Sequence, residues 1–206
     1  MRKLAFLAAL SACFLFTGAA FAQQGDAMFN FSTLMTPNNN GCTFSFTSQF
    51  GASCPESGGL YTGVGADVIF HRRVGIGFDV NWRASQGGYG GAGGEPYRPI
   101  LWDFNGIYQP RLGKKLGADL FAGAGWQSTR FYTSGYTCGY FSGCINYNTS
   151  NHFLIDAGVG IRYYVWGHFF VRPEARYYYV NNNTNDFTSD NLFKVGASIG
   201  YTIGPE

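Results

Sequence analysis

The chain has three histidines, His71, His152 and His168, and a hydrolytic centre would have to use one of them. Such a centre sets an imidazole beside a hydroxyl nucleophile or a carboxylate. His152 is the one candidate, two residues after Ser150 and in a segment that a loop carboxylate could approach. A single histidine with no partner fixed by the sequence defines no reaction, and the expectation is a protein that is not an enzyme. Gly-x-Gly pairs recur along the chain, but none opens a helix, so they build no phosphate cradle. No cofactor and no metal are expected.

The second available chemistry is ion pairing. Asp26, Asp67, Asp79, Asp103, Asp119, Asp156 and Glu174 are seven acids, and Arg83, Arg162, Arg172, Arg176 and Lys194 five bases, all at matching positions of repeated segments. If one surface gathers them, they form a connected charge network, because buried charges must be paired or hydrated. The third is thiol chemistry. Beyond Cys13 in the apolar N-terminal run, four cysteines remain: Cys42, Cys54, Cys138 and Cys144. Four cysteines allow three pairings. Each close pair shares one polar, turn-rich segment, which favours Cys42–Cys54 and Cys138–Cys144. A four-thiolate metal site would want paired C-x-x-C spacing, and that is absent.

The elements that position these groups are legible in VGIGFDVNWR, residues 74–83. Val74, Ile76, Phe78, Val80 and Trp82 alternate with Gly75, Gly77, Asp79, Asn81 and Arg83, the period of a strand with two unlike faces. Eight segments repeat the pattern, near 25–35, 59–70, 73–84, 98–109, 116–131, 152–165, 168–180 and 192–203. Short turns at 71–72, 110–115 and 166–167 alternate with long polar loops at 36–58, 85–97, 132–151 and 181–191. In an up-and-down meander that alternation puts every long loop at one end of the sheet.

One face collects the twelve charges named above together with Asn30, Asn81, Asn105 and many glycines. The other collects Phe29, Phe31, Val64, Phe78, Phe104, Leu120, Ile155, Val159, Ile161 and Ile199. Arg98 and Arg130 fall on this apolar face near loop mouths, where a long side chain can snorkel. A lipocalin-like barrel would turn the apolar row inward, but eight strands enclose too little space for Trp82, Trp102 and Trp126 plus the phenylalanines. A sandwich normally has short connections at both ends. The reverse arrangement fits: all-β, an eight-stranded antiparallel up-and-down transmembrane β-barrel with its apolar row in lipid. Trp82, Trp102 and Trp126 lie toward the long-loop end, and Tyr163, Trp166 and Tyr201 toward the short-turn end, as aromatic girdles would.

The N-terminus agrees. Residues 1–22 have Arg2 and Lys3, an apolar run, and Ala20-Phe21-Ala22, the layout of a cleaved signal peptide; 23–206 is then one barrel domain. Fourteen bases less Arg2 and Lys3 leave twelve, against twelve acids, so the mature chain is neutral and nothing favours nucleic acid. No later apolar run approaches the ~20 residues of a membrane helix.

In the last segment, Lys194, Gly196, Ile199 and Tyr201 stand at the spacing of a C-terminal outer-membrane assembly signal, which it resembles. VRPEARYYY, residues 171–179, is similar to an inward-charged strand of small outer-membrane barrels. With the signal peptide and the eight-strand meander, the chain resembles the OmpA-type transmembrane domain and OmpX-like barrels. The resemblance implies a bacterial outer membrane, contact with its lipids and with the assembly machinery, and surface loops of variable role. Tyr89, Tyr97, Tyr132, Tyr136, Tyr140, Phe141 and Tyr147 among Gly, Ser and Asn make those loops suited to an extracellular ligand. The expected function is a structural or surface-interaction protein with a filled lumen. The alternatives are a narrow porin-like channel and, after it, a rim enzyme acting on lipid or peptide.

Overall fold

The computed structural model describes residues 22–37, 56–70, 73–88, 95–139 and 143–204. The strands in chain order are β1 (Ala22–Met35), β2 (Tyr61–Phe70), β3 (Val74–Arg83), β4 (Gly87–Gly88), β5 (Pro96–Tyr108), β6 (Leu116–Gly139), β7 (Gly143–Trp166), β8 (Phe169–Val180) and β9 (Asn191–Ile203). β1 pairs with both β2 and β9, and β3 pairs with β5. β4 is therefore a two-residue annex on β5, and the other eight strands close an antiparallel ring in which each has a neighbour on both sides. The eight-stranded up-and-down barrel is present.

Burial runs opposite to that of a water-soluble domain. Phe29 is 64 % exposed and Ile203 65 %, while Arg162, Arg172, Arg176 and Lys194 are at most 2 % exposed. The opening strand shows why: in β3 the row of Val74, Ile76 and Phe78 faces out and Asp79 and Asn81 face in.

Two expectations need correction. The inner face is not only charge and glycine. Ile69, Ile107 and Phe121 form an apolar cluster inside, and Leu34, Tyr61, Leu101, Leu154, Tyr178, Val180 and Leu192 form another. These side chains fill lumen space that the charged groups leave, excluding water that would screen them. The third long connection is also not a loop. Residues 132–139 and 143–151 continue β6 and β7 as a paired ribbon, with Tyr132↔Tyr147, a register shift, then Thr137↔Ile145 and Cys138↔Cys144. A ribbon rising above the ring has no lipid to face, so its Thr, Tyr and Asn residues pair without apolar alternation. Residues 1–21, Cys42, Cys54 and His71 lie outside the described residues.

Candidate functional site

The ring register places glycine opposite charge. Asp79 faces Gly65, Asp67 faces Gly77, Asp103 faces Gly125, Asp119 faces Gly160, Asp156 faces Gly123 and Arg176 faces Gly158. At Gly65 and Gly77 a Cβ would lie 2.4 Å from a carboxylate oxygen of Asp79 and of Asp67, respectively. A side chain at either position would push the acid out of its place in the lumen.

Three arginines tie the acids together. Arg162 on β7 reaches Asp26 on β1 and, at 3.0 Å, Asp119 on β6. Arg172 on β8 meets Asp67 at 3.0 Å and Glu174 at 3.1 Å. Arg176 meets Asp79 at 2.7 Å and Asp103 at 3.2 Å. Lys194 on β9 closes the set on Glu174 at 3.1 Å. Thr202 donates to Asp26 at 2.7 Å and Asn30 to Asp79 at 2.9 Å. Among the described residues Asp156 joins only through a long contact of 3.9 Å to Arg176. Phe121 lies under both Arg172 and Arg176, with guanidinium carbons 4.8 and 4.4 Å from its ring. An aromatic face there satisfies cations without competing for their acids.

Arg83 stands apart from this network. It is the last residue of β3, at the long-loop mouth, and donates to the Tyr97 hydroxyl at 2.9 Å. The mouth holds a second polar cluster that the sequence pattern did not reveal. Glu56, just before β2, is fully buried, and its Oε2 accepts from Gln127 at 2.9 Å and Asn183 at 3.2 Å. Burial pushes the Glu56 carboxyl up to about 8, against the amide donors and Arg83, which pull it down. Asn183 belongs to a 3-10 turn (Asn183–Asn185) in the β8–β9 connection. That connection also drops Phe187 onto Tyr97, ring centroids 5.3 Å apart. Two loop segments thus meet over the barrel and close its mouth. No motif marks Glu56 or Asn183; only their convergence does.

His152 does gain a carboxylate. Its Nε2 lies 2.7 Å from Asp186 and 3.0 Å from the Ser150 hydroxyl, while Nδ1 lies 3.2 Å from the Asn181 carbonyl. A Ser-His-Asp relay needs the acid on one ring nitrogen and the nucleophile on the other. Here both compete for Nε2, and Nδ1 is committed to backbone. The arrangement is a clamp between β7 and the β8–β9 connection. His168 lies beside Tyr201 at the opposite end, the rings tilted and 5.7 Å between centroids.

On the outer surface, Trp102 stacks on Trp126 at 4.8 Å, and Phe153 meets Trp126 edge-on at 5.7 Å. Trp82, half-buried, pairs across the strands with Ile100. At the other end Tyr163, Tyr201 and Trp166 are exposed, Trp166 to 81 %. On β9, Lys194 and Gly196 face the lumen, where Gly196 pairs with Ser32 and Glu174, while Ile199 and Tyr201 face out. Cys138 and Cys144 oppose each other near the ribbon tip, Cα atoms 4.0 Å apart and sulfurs in disulfide geometry.

No protein-family model and no curated protein matches the chain. Solved structures do. Neisserial surface protein A matches with a TM-score of 0.56 at 11% identity, covering 86% of this chain and 95% of that one. Ail, the attachment invasion locus protein of Yersinia pestis, matches at 0.52 and 9% identity, covering 88% and 99%. A major outer membrane protein from Thermus thermophilus matches at 0.52 and 10%, covering 87% and 99%. At these identities the likeness is one of fold, and the chain has the fold of these outer-membrane β-barrels.

Proposed function

We propose that the chain is an integral outer-membrane barrel, exported behind a cleaved signal peptide, whose filled lumen serves as a rigid anchor for a surface-interaction ribbon. The observation that carries this reading is the inverted burial: charge inside, a continuous apolar surface outside. The dimensions support it. Phe153 and Tyr163 on β7 are ten residues apart, about 34 Å along a strand at ~3.4 Å per residue. At a tilt of roughly 40° that is about 26 Å along the barrel axis, close to the ~25 Å apolar band of such barrels. Lys194, Gly196, Ile199 and Tyr201 supply the spacing for recognition by the assembly machinery. Above the upper girdle, β6 and β7 continue as the ribbon, with Tyr132 and Tyr147 packed edge to face at 5.9 Å. Past Phe131 on β6 and before Leu154 on β7 the ribbon's outer edges have no strand partner among the described residues. Unpaired edges with aromatic side chains suit an extended peptide or protein surface, and a Cys138–Cys144 disulfide would hold the tip in shape.

The test is insertion followed by capture. Protein folded into phosphatidylcholine vesicles should float with them and show heat-modifiable migration on SDS gels. Vesicles bearing the intact protein should bind members of an array of extracellular proteins and glycans. A variant with a short turn in place of residues 133–146 should insert equally and lose that binding. Failure to float sinks the membrane reading; equal capture by both proteins sinks the ribbon's role alone.

A further inference from the structure

At the end of the barrel opposite the ribbon, β2–β3 and β7–β8 are joined through residues 71–73 and 167–168, whereas β5 and β6 are joined through 109–115. A hairpin closes with two residues, so the β5–β6 connection carries more chain than its geometry needs. That chain is folded. The Leu112 and Gly113 N–H groups both donate to the Leu116 carbonyl at 2.9 Å, Ala118 donates to Pro110 at 3.0 Å, and Tyr164 on β7 donates to Lys115 at 2.9 Å. Arg111 forms an antiparallel bridge with Gly117. Gly117 is buried, shares the inward parity of Asp119, and has Arg162 as its partner on β7. Arg111 is thereby set over the end of the lumen and not toward the lipid.

Beside Gly117 lies a vestibule of about 70 Å³, edged by Arg111 and Lys114 and floored by Gln24, Gln109 and Arg162. The three floor residues are more than nine-tenths buried. A Cβ at Gly117 would meet nothing closer than 3.8 Å, so packing does not demand the glycine; its effect is to keep the vestibule open. Arg162 is held by Asp26 and, at 3.0 Å, by Asp119, and brings no spare charge. Gln24 and Gln109 donate to the same two acids, each at 3.0 Å. The rim differs. Arg111 and Lys114 are exposed, and among the described residues neither forms an ion pair. The connections at this end, 71–73, 109–115 and 167–168, contain no Asp or Glu. Two cations thus stand over a polar hollow, and their own end of the barrel offers them no acid among its described residues outside the lumen.

The hollow selects its ligand by size and charge. At ~30 Å³ per water it takes about two waters, or one carboxylate with little beside it. A carboxylate has one oxygen for each rim cation, and such charge-assisted bonds are the strong ones. Asp26 and Asp119, one layer below, disfavour a phosphate dianion. The side-chain carbonyls of Gln24 and Gln109 are of a kind that accepts the N–H of a peptide group. We propose that the vestibule captures the C-terminal carboxylate of a peptide with a small last residue, gripped by Arg111 and Lys114 across the space that Gly117 leaves. The peptide comes from the aqueous compartment that the short turns face, and for that compartment the inference rests on the reading that the barrel spans a bilayer.

The test uses the full protein in phosphatidylcholine nanodiscs, which leave both ends of the barrel open to solution. The probe is trialanine labelled at its N-terminus, with a free carboxylate or a C-terminal amide, followed by fluorescence anisotropy. The carboxylate form should bind saturably and the amide form at least tenfold more weakly, as expected for loss of hydrogen bonds to charged groups. R111Q/K114Q should weaken binding by about the same factor. G117V should do likewise, because it fills the hollow without changing any charge. R73Q/K115Q removes two exposed cations of the same end that do not edge the vestibule, and should bind like the parent. Heat-modifiable migration checks that each variant is folded, and R111Q/K114Q decides alone should G117V not fold. Equal binding of the acid and amide peptides overturns the proposal, as does a G117V or R111Q/K114Q protein that binds like the parent. Equal weakening by R73Q/K115Q would show a diffuse basic surface instead of a site. Displacement by inorganic phosphate at lower concentration than by acetate would overturn the carboxylate assignment. A protein that does not enter nanodiscs overturns the membrane reading, while the same titration in detergent micelles still tests the vestibule.

Discussion

Arg176 on β8 and Asp79 on β3 stand on strands four places apart in a ring of eight, and their side chains meet at 2.7 Å across the lumen. The pair spans the full width of the barrel. Asp79 and Asp103 are direct neighbours on adjacent strands, and Arg176 bonds both. One cation thereby offsets a repulsion that would otherwise force β3 and β5 apart. Replacing Arg176 with Met leaves two buried acids without their base. Breaking a buried pair from one side costs about 3–5 kcal/mol, so R176M should unfold at markedly lower urea in vesicles, followed by tryptophan fluorescence. D79N added to R176M should recover part of the loss, and simple additivity of the two changes would show that the residues are not coupled.

The lumen should not conduct. Arg162, Arg172 and Arg176 cross it, Phe121 fills the space beneath two of them, and Glu56 with Asn183 closes the mouth. A small vestibule of about 70 Å³ opens at the short-turn end beside Gln24, Lys114 and Tyr164, and Arg162 lines it. Folded protein in planar bilayers should be electrically silent. Discrete conductance steps in the intact protein would make the acid and base rows the walls of a pore.

Docking of the two loop segments over the mouth should weaken at alkaline pH. Glu56 has its carboxyl raised from 4.5 to about 8 by burial. A group raised in the folded state stabilises it fully below its unfolded value and loses that contribution as pH rises through the folded one. Limited proteolysis of the β1–β2 connection should therefore be slow under acid conditions, accelerate as pH rises from 4.5 to about 8, and level off above that. Glu56→Gln keeps the shape and removes the titration, so its profile should be flat; a profile like that of the parent protein would assign the effect elsewhere.

Cys138 and Cys144 should resist alkylation until a reductant is added, and C138S/C144S should make the ribbon tip easier for protease to cut. Barrel stability should change little, because the pair closes a loop of only six residues in sequence, and loop-closure entropy grows with loop length. Rapid alkylation of the untreated protein would show free thiols.

Much of the barrel can be read from one dimension because a strand in lipid must alternate. β3 shows both rows in ten residues, and the charge-bearing parity identified Asp79, Asp103, Arg162, Arg172 and Arg176 as one face. Parity says which side a residue takes and nothing of which partner it meets. Arg83 has the inward parity of Asp79, yet it sits at the strand end and bonds Tyr97 instead of an acid. Phe121 has inward parity too, and its apolar type gave no reason to place it beside arginines. Segment 132–151 reads as a loop because strand pairing without a lipid face imposes no hydrophobic period.

Strand number, the alternation of short and long connections and the sorting of charge from apolar surface were thus determined by sequence alone, since each follows from local period and composition. The cross-lumen partners and the closure over the mouth by Glu56 and Asn183 were decided only by tertiary structure. Ring closure sets the stagger between strands, and that stagger, shared among all eight, fixes which distant residues come into contact.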